Sequence, residues 1–204
     1  MKFRLHPVLL PVFLYLMIVG GLSIYALVFI SLLLHEAGHL IAAKTIGMRV
    51  RSCTIMPYGG EIVIPGRLLA SRKDRILVAI GGPIATMILL LLALLISFPG
   101  DDLFIRIQVA LLFLNLLPIL PLDGGQVLMA LLETDDARYS TRTAMMLYSI
   151  AFLSVIIILL SIHLPPTIPY ILLAIFLLIQ NISAFRFRKY ENAFLNIKLN
   201  KLTR

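Results

Sequence analysis

With 204 residues, 60% of them hydrophobic, and a mean hydropathy of +1.01, the chain is too apolar for a water-soluble globule and has the composition of a polytopic membrane protein. A formal charge of +8 would suggest nucleic acid in a soluble protein, but here the basic residues flank apolar runs, so topology and lipid headgroups account for them and no direct nucleic-acid binding is expected. The single cysteine, Cys53, excludes an intramolecular disulfide and any cysteine-rich zinc site.

Lys2 and Arg4 precede an apolar run that resembles a signal peptide. No small-residue cleavage site followed by a polar domain comes after it, so it is read as an uncleaved first span. From Pro7 to Ala43 only His35, Glu36 and His39 interrupt the run. As one helix it would measure about 55 Å against a hydrocarbon core of roughly 30 Å. It must turn back, and Gly20-Gly21 is the natural place, which makes spans of about 8–20 and 22–46. Between Met48 and Pro65 the helical pattern fails: Val50, Cys53, Ile55, Ile62 and Ile64 flank Pro57-Tyr58-Gly59-Gly60 and predict paired strands at the membrane surface. Arg67, Arg72, Lys73 and Arg75 lead into a third span, about 76–98, where Gly81-Gly82-Pro83 loosens the helix and admits a close neighbour. A fourth apolar segment, about 103–132, is interrupted around Asp123 by Pro118, Pro121 and Gly124-Gly125. Unwound backbone at membrane depth is tolerated where it lines a cavity or packs on protein. Spans of about 144–163 and 168–185 follow, and the tail from Arg186 is basic.

The expected fold is therefore all-α and polytopic, with six transmembrane helices and a β-hairpin between the second and third; residues 1–185 form the core and 186–204 a cytoplasmic tail. Six spans put both termini on one side. They also put every lysine and arginine except Arg106 on that side, which the positive-inside rule makes cytoplasmic.

The chemistry concentrates in the second span. His35 and His39 are four apart, so on a helix both imidazoles project from one face and can hold one metal ion. Glu36, beside the first of them, can take a proton from water at that ion, and H-E-x-x-H is the zinc-peptidase signature. Ionisable residues in lipid are costly and point to function. A catalytic zinc usually has three protein ligands. His6 and His163 lie near span ends, whereas Asp123 matches His35 in depth, both roughly 15 Å from the cytoplasmic face at about 1.5 Å per residue. Asn115, two turns before Asp123, can hold a substrate carbonyl or an oxyanion, or serve as an interhelical hydrogen bond.

HEAGH followed by NLLPILPLDGG resembles the site-2 protease family of intramembrane zinc metalloproteases. The LHP near the start, MPYGGEIVIP and the IGGP at 80–83 extend the likeness over nearly the whole chain, toward the sporulation branch. Members of that branch remove the pro-segment from a late mother-cell sigma-factor precursor. The resemblance implies one zinc held by His35, His39 and Asp123, Glu36 as base, Asn115 as substrate-binding residue, and Tyr58 in a strand-loop that shapes the substrate path. It also implies a membrane-associated protein substrate, inhibitory membrane partners and a membrane facing the mother cell. Two features depart from it. Many relatives carry Asn or Gly three residues after the Gly-Pro, where this chain has Thr86, and the sporulation enzymes carry a C-terminal nucleotide-sensing CBS domain that these 204 residues do not contain.

The reaction expected is hydrolysis of a peptide bond in or beside the membrane, on a substrate in extended form. A membrane metal-ion transporter and a non-catalytic scaffold are the rivals. Glu36 argues against the first, and the complete set of catalytic residue types against the second.

Overall fold

A left-handed glycine ends the first helix: Gly20 has φ 81°, and Gly21 donates its N–H back to the Leu16 carbonyl at 3.1 Å. In this computed structural model, which describes residues 2–56, 59–67, 70–134 and 138–202, the break separates α1 (Leu9–Val19) from α2 (Leu22–Thr45). The chain divides into two units, residues 1–117 and 118–204.

In the first unit, β1 (Lys2–Leu5) runs parallel to β2 (Ser52–Met56), which pairs antiparallel with β3 (Gly59–Val63). The order β1-β2-β3 leaves β3 at an edge, and β3 packs against α2. The expected hairpin is present, and β1 turns it into a three-stranded sheet, so the all-α description needs that amendment. Four residues after the N-terminus carry no periodic signal of their own; only their pairing with β2 makes them a strand.

Ser71 caps α3 (Arg72–Leu95), its side chain accepting from the Asp74 N–H at 3.1 Å. α3 packs antiparallel along α2, and two glycines set how closely. A Cβ on Gly38 would overlap the Gly81 carbonyl oxygen, and one on Gly81 would lie 2.7 Å from the Gly38 carbonyl oxygen. Only bare glycine backbone admits this approach, the small-residue packing that membrane helices favour. After a tight turn at Gly100 (φ 90°), α4 (Asp101–Leu116) starts with Asp101 and Asp102 at its positive end and returns parallel to α2.

In the second unit, α5 (Asp123–Leu132) follows an unwound segment, and α6 (Arg138–Ser161) pairs with α7 (Ile168–Leu202). Leu120 within the unwound segment has both main-chain groups satisfied by buried side chains. Its N–H donates to Ser149 Oγ of α6 at 3.0 Å, and its carbonyl accepts from Asn181 Nδ2 of α7. This is how broken backbone survives without water: neighbouring helices supply the missing partners. Leu120, Met129, Met145 and Met146 form the apolar core around it. Gly125 allows α5 to fold back on this segment, since a Cβ there would overlap the Ile119 carbonyl.

Among the described residues four helices are long and apolar enough to cross a membrane: Leu22–Thr45, Arg72–Leu95, Tyr139–Ser161 and Ile168–Arg188. The other two expected spans are shorter than a bilayer. At about 1.5 Å per residue α1 measures roughly 16 Å, and the unwound segment holding Pro118 and Pro121 cuts the fourth apolar segment into α4, roughly 24 Å, and α5, roughly 15 Å.

Candidate metal centre

Ser31, His35 and His39 succeed one another at four-residue intervals on α2, and all three are buried. The imidazoles of His35 and His39 meet at right angles, with their Nε2 atoms 3.2 Å apart. Their other ring nitrogens are held by α3. Thr86 Oγ1 gives its own proton to the Gly82 carbonyl at 3.2 Å, so it accepts from His35 Nδ1–H at 2.8 Å. His39 Nδ1 lies 2.7 Å from the Val78 carbonyl, which can only accept. The Gly82 N–H approaches the same nitrogen at 3.3 Å, but the shorter contact decides, and the proton belongs on Nδ1.

Both rings therefore turn Nε2 lone pairs toward each other. Two lone pairs at that distance repel, and the arrangement calls for a cation between them. Two ligands of a tetrahedral zinc at about 2.0–2.1 Å from the ion stand about 3.3 Å apart, close to the observed 3.2 Å. The space adjoining both nitrogens exists because residue 82 is glycine: a Cβ there would overlap His39 Nε2 and come within 2.5 Å of His35 Nε2. The residues fit the metal.

Glu36 is half-buried, one residue on from His35 and off the ligand face. It lies close enough to β2 to act on Cys53, whose thiol is pushed above its ordinary value by burial and then by the negative charge of Glu36. Cys53 is thus a neutral thiol at neutral pH, a small buried strand residue. Asn115 is half-buried on α4 and donates Nδ2 to the Leu111 carbonyl of its own helix at 3.1 Å. Asp123 belongs to the second unit, where it is buried and opens α5, with its carboxylate at the positive end of that helix. Tyr58 lies outside the described residues.

Sequence reasoning passed over Val78 as a partner of His39 and gave Gly82 no role beyond helix packing. It met Thr86 only as a departure from the family pattern. The available signal was a hydroxyl in an otherwise apolar helix, one turn after Gly82.

Comparison with known proteins agrees with this site. Over 178 residues the chain is 28% identical to the zinc metalloprotease MJ0392 of Methanocaldococcus jannaschii, covering 72% of this chain and 52% of that protein. Over 137 residues it is 28% identical to stage IV sporulation protein FB of Bacillus subtilis, covering 64% of this chain and 48% of that protein. The chain thus spans about half the length of these curated relatives. Its fold matches the site-2 protease structure from Methanocaldococcus jannaschii with a TM-score of 0.64 over 90% of both chains, at 22% identity. The sequence profile of Peptidase family M50 matches residues 23–101 and 102–158, which contain the buried histidine pair, Glu36 and Asp123. With its four long apolar helices, the chain is an integral membrane protein of peptidase family M50.

Proposed function

We propose that the chain is an intramembrane zinc metalloprotease that cleaves a protein substrate in or beside the membrane. The observation that carries this reading is the pair of Nε2 atoms 3.2 Å apart, each ring held through Nδ1, with a carboxylate at the next position along the helix. His35 and His39 hold the ion, and Asp123 is the third ligand: a buried carboxylate is the right donor, and a helix N-terminus steadies its charge. A zinc ion held there supplies Lewis acidity toward the scissile carbonyl.

Glu36 takes a proton from the attacking water as the water oxygen bonds to the carbonyl carbon. It returns that proton to the amine nitrogen as the C–N bond breaks. Asn115 holds the substrate carbonyl on its way to an oxyanion. The substrate is extended, since a helical peptide bond is shielded by its own hydrogen bonds, and it adds to the edge of β3, with Tyr58 as a residue that shapes its path. The likeness to stage IV sporulation protein FB makes a sigma-factor precursor the first substrate to test. Mass spectrometry of such a precursor co-expressed with the chain should show a new N-terminus; an intact precursor would redirect the search to other membrane-associated proteins. Six crossings, with both termini cytoplasmic, are the topology that goes with the charge distribution. Terminal tags digested by protease outside intact cells would disprove it.

Thr86 has an expected role here as the partner that orients His35. Thr86→Val keeps the shape and removes the hydroxyl, so zinc affinity should fall by about 10–100-fold, the usual cost of losing such a partner. A chelator competition on purified protein measures it, and Thr86→Asn, which restores a polar partner, should recover part of the loss.

A further inference from the structure

Ser149 of α6 and Asn181 of α7 are polar residues in buried apolar stripes, Met145-Ser149-Leu153 on one helix and Ala174-Leu177-Asn181 on the other. Both converge on Leu120. Ser149 Oγ gives its proton to the Met145 carbonyl at 2.8 Å, so it accepts from the Leu120 N–H. Asn181 Nδ2 donates to the Leu120 carbonyl and, at 2.9 Å, to the Leu177 carbonyl. Both targets can only accept, which fixes the orientation of the amide and uses both of its protons.

A continuous helix would satisfy its own backbone and need neither side chain. The break therefore calls for a reason, and Asp123 lies three residues further on. Between the two the chain is closely tied to itself. The Leu122 N–H donates to the Ile119 carbonyl at 2.9 Å, and Gln126 donates Nε2 to the Pro121 carbonyl at 2.8 Å and its N–H to the Leu122 carbonyl at 3.0 Å. Gly125 lies against the Ile119 carbonyl, with no room for a methyl group. Residues 119–126 thus form one closed turn that carries Asp123, and Leu120 ties that turn to α6 and α7.

We infer that Ser149 and Asn181 are positioning residues for the metal: by clamping Leu120 from two helices they hold the Asp123 carboxylate where it completes the coordination set. This rests on the reading of Asp123 as third ligand given above. Each acts through the Leu120 main chain and not as a ligand. Losing a group that supports a metal ligand typically costs about 10–100-fold in affinity, and a shift of about 1 Å is enough to spoil a preorganised site.

The test is a double-mutant cycle on zinc affinity, measured by titration and chelator competition on the purified chain. Asn181→Leu keeps the approximate size and removes the donor, and Ser149→Ala removes the acceptor. Each should lower zinc affinity by about 10–100-fold. Ser154→Ala, whose hydroxyl donates to the Ile150 carbonyl of its own helix, should leave it unchanged. With Asp123→Ala already present, Asn181→Leu and Ser149→Ala should have no further effect, because the carboxylate they position is gone. General loosening of the helices would instead lower affinity in both backgrounds, and that result would overturn the clamp. Cobalt(II) in place of zinc gives a second readout, since its visible spectrum follows the ligand set: Asn181→Leu should shift toward the spectrum of Asp123→Ala. Wild-type affinity in both clamp variants, beside a loss in Asp123→Ala, would overturn the clamp and leave Asp123 a ligand. Wild-type affinity in Asp123→Ala would remove Asp123 from the metal and this inference with it. Should Asn181→Leu fail to fold by circular dichroism, Ser149→Ala, which adds no bulk, decides the matter.

Discussion

Glu36→Gln is expected to keep its zinc and bind substrate while cleavage falls by at least about a hundredfold, the usual scale for losing a general base. The residue after a helical ligand points about 100° away from the ligand face, so Glu36 is outside the coordination set that His35 and His39 begin. It is half-buried and close enough to β2 to raise the Cys53 thiol. Glutamine preserves the size and the hydrogen bonding but cannot accept a proton near neutral pH. Zinc content and precursor cleavage, measured together on the purified pair, separate catalysis from metal binding. A mutant that retained zinc and cut at the wild-type rate would end the proteolytic reading. A transporter would respond differently, with metal flux largely surviving the change.

Gly82→Ala should produce the opposite dissociation, a folded protein that has lost its metal. The added methyl would overlap His39 Nε2 and crowd His35 Nε2, occupying the space that adjoins both nitrogens. Alanine is the better helix former, so α3 itself should gain slightly. The expected result is zinc content near zero and activity reduced by at least about a hundredfold, with helical content by circular dichroism unchanged. Gly81→Ala is the natural control. Its methyl would meet the Gly38 carbonyl and Ala42 rather than the imidazoles, so it should loosen the α2–α3 contact and lower thermal stability. Full zinc occupancy in Gly82→Ala would show that the ion sits elsewhere than beside these two nitrogens.

Much of the local architecture was legible in the residues because it depends on short-range rules. The 37-residue run from Pro7 to Ala43 is too long to cross a bilayer once as a single helix, so a break was required, and Gly20 supplies the left-handed turn that makes one. Two histidines four apart share a helix face whatever surrounds them. Pro118 and Pro121 announce a break before Asp123, and the chain is unwound from 117 to 122, while Gly124 and Gly125 lie within α5. What the tertiary fold decided is the state of each functional atom. Thr86 and Val78 hold the protons of His35 and His39 from 51 and 39 residues away, and Gln108 reaches Ser31 across 77. No periodicity connects such positions. The same holds for β1, which is a strand only because β2 lies beside it, and for Leu120, whose broken backbone is tolerated because Ser149 and Asn181 arrive from two later helices. Hydropathy and spacing select which residues enter the membrane and which face they share. The tautomer of a histidine, the partner of a buried carbonyl and the room for an ion are set by atoms that only folding brings within 3 Å.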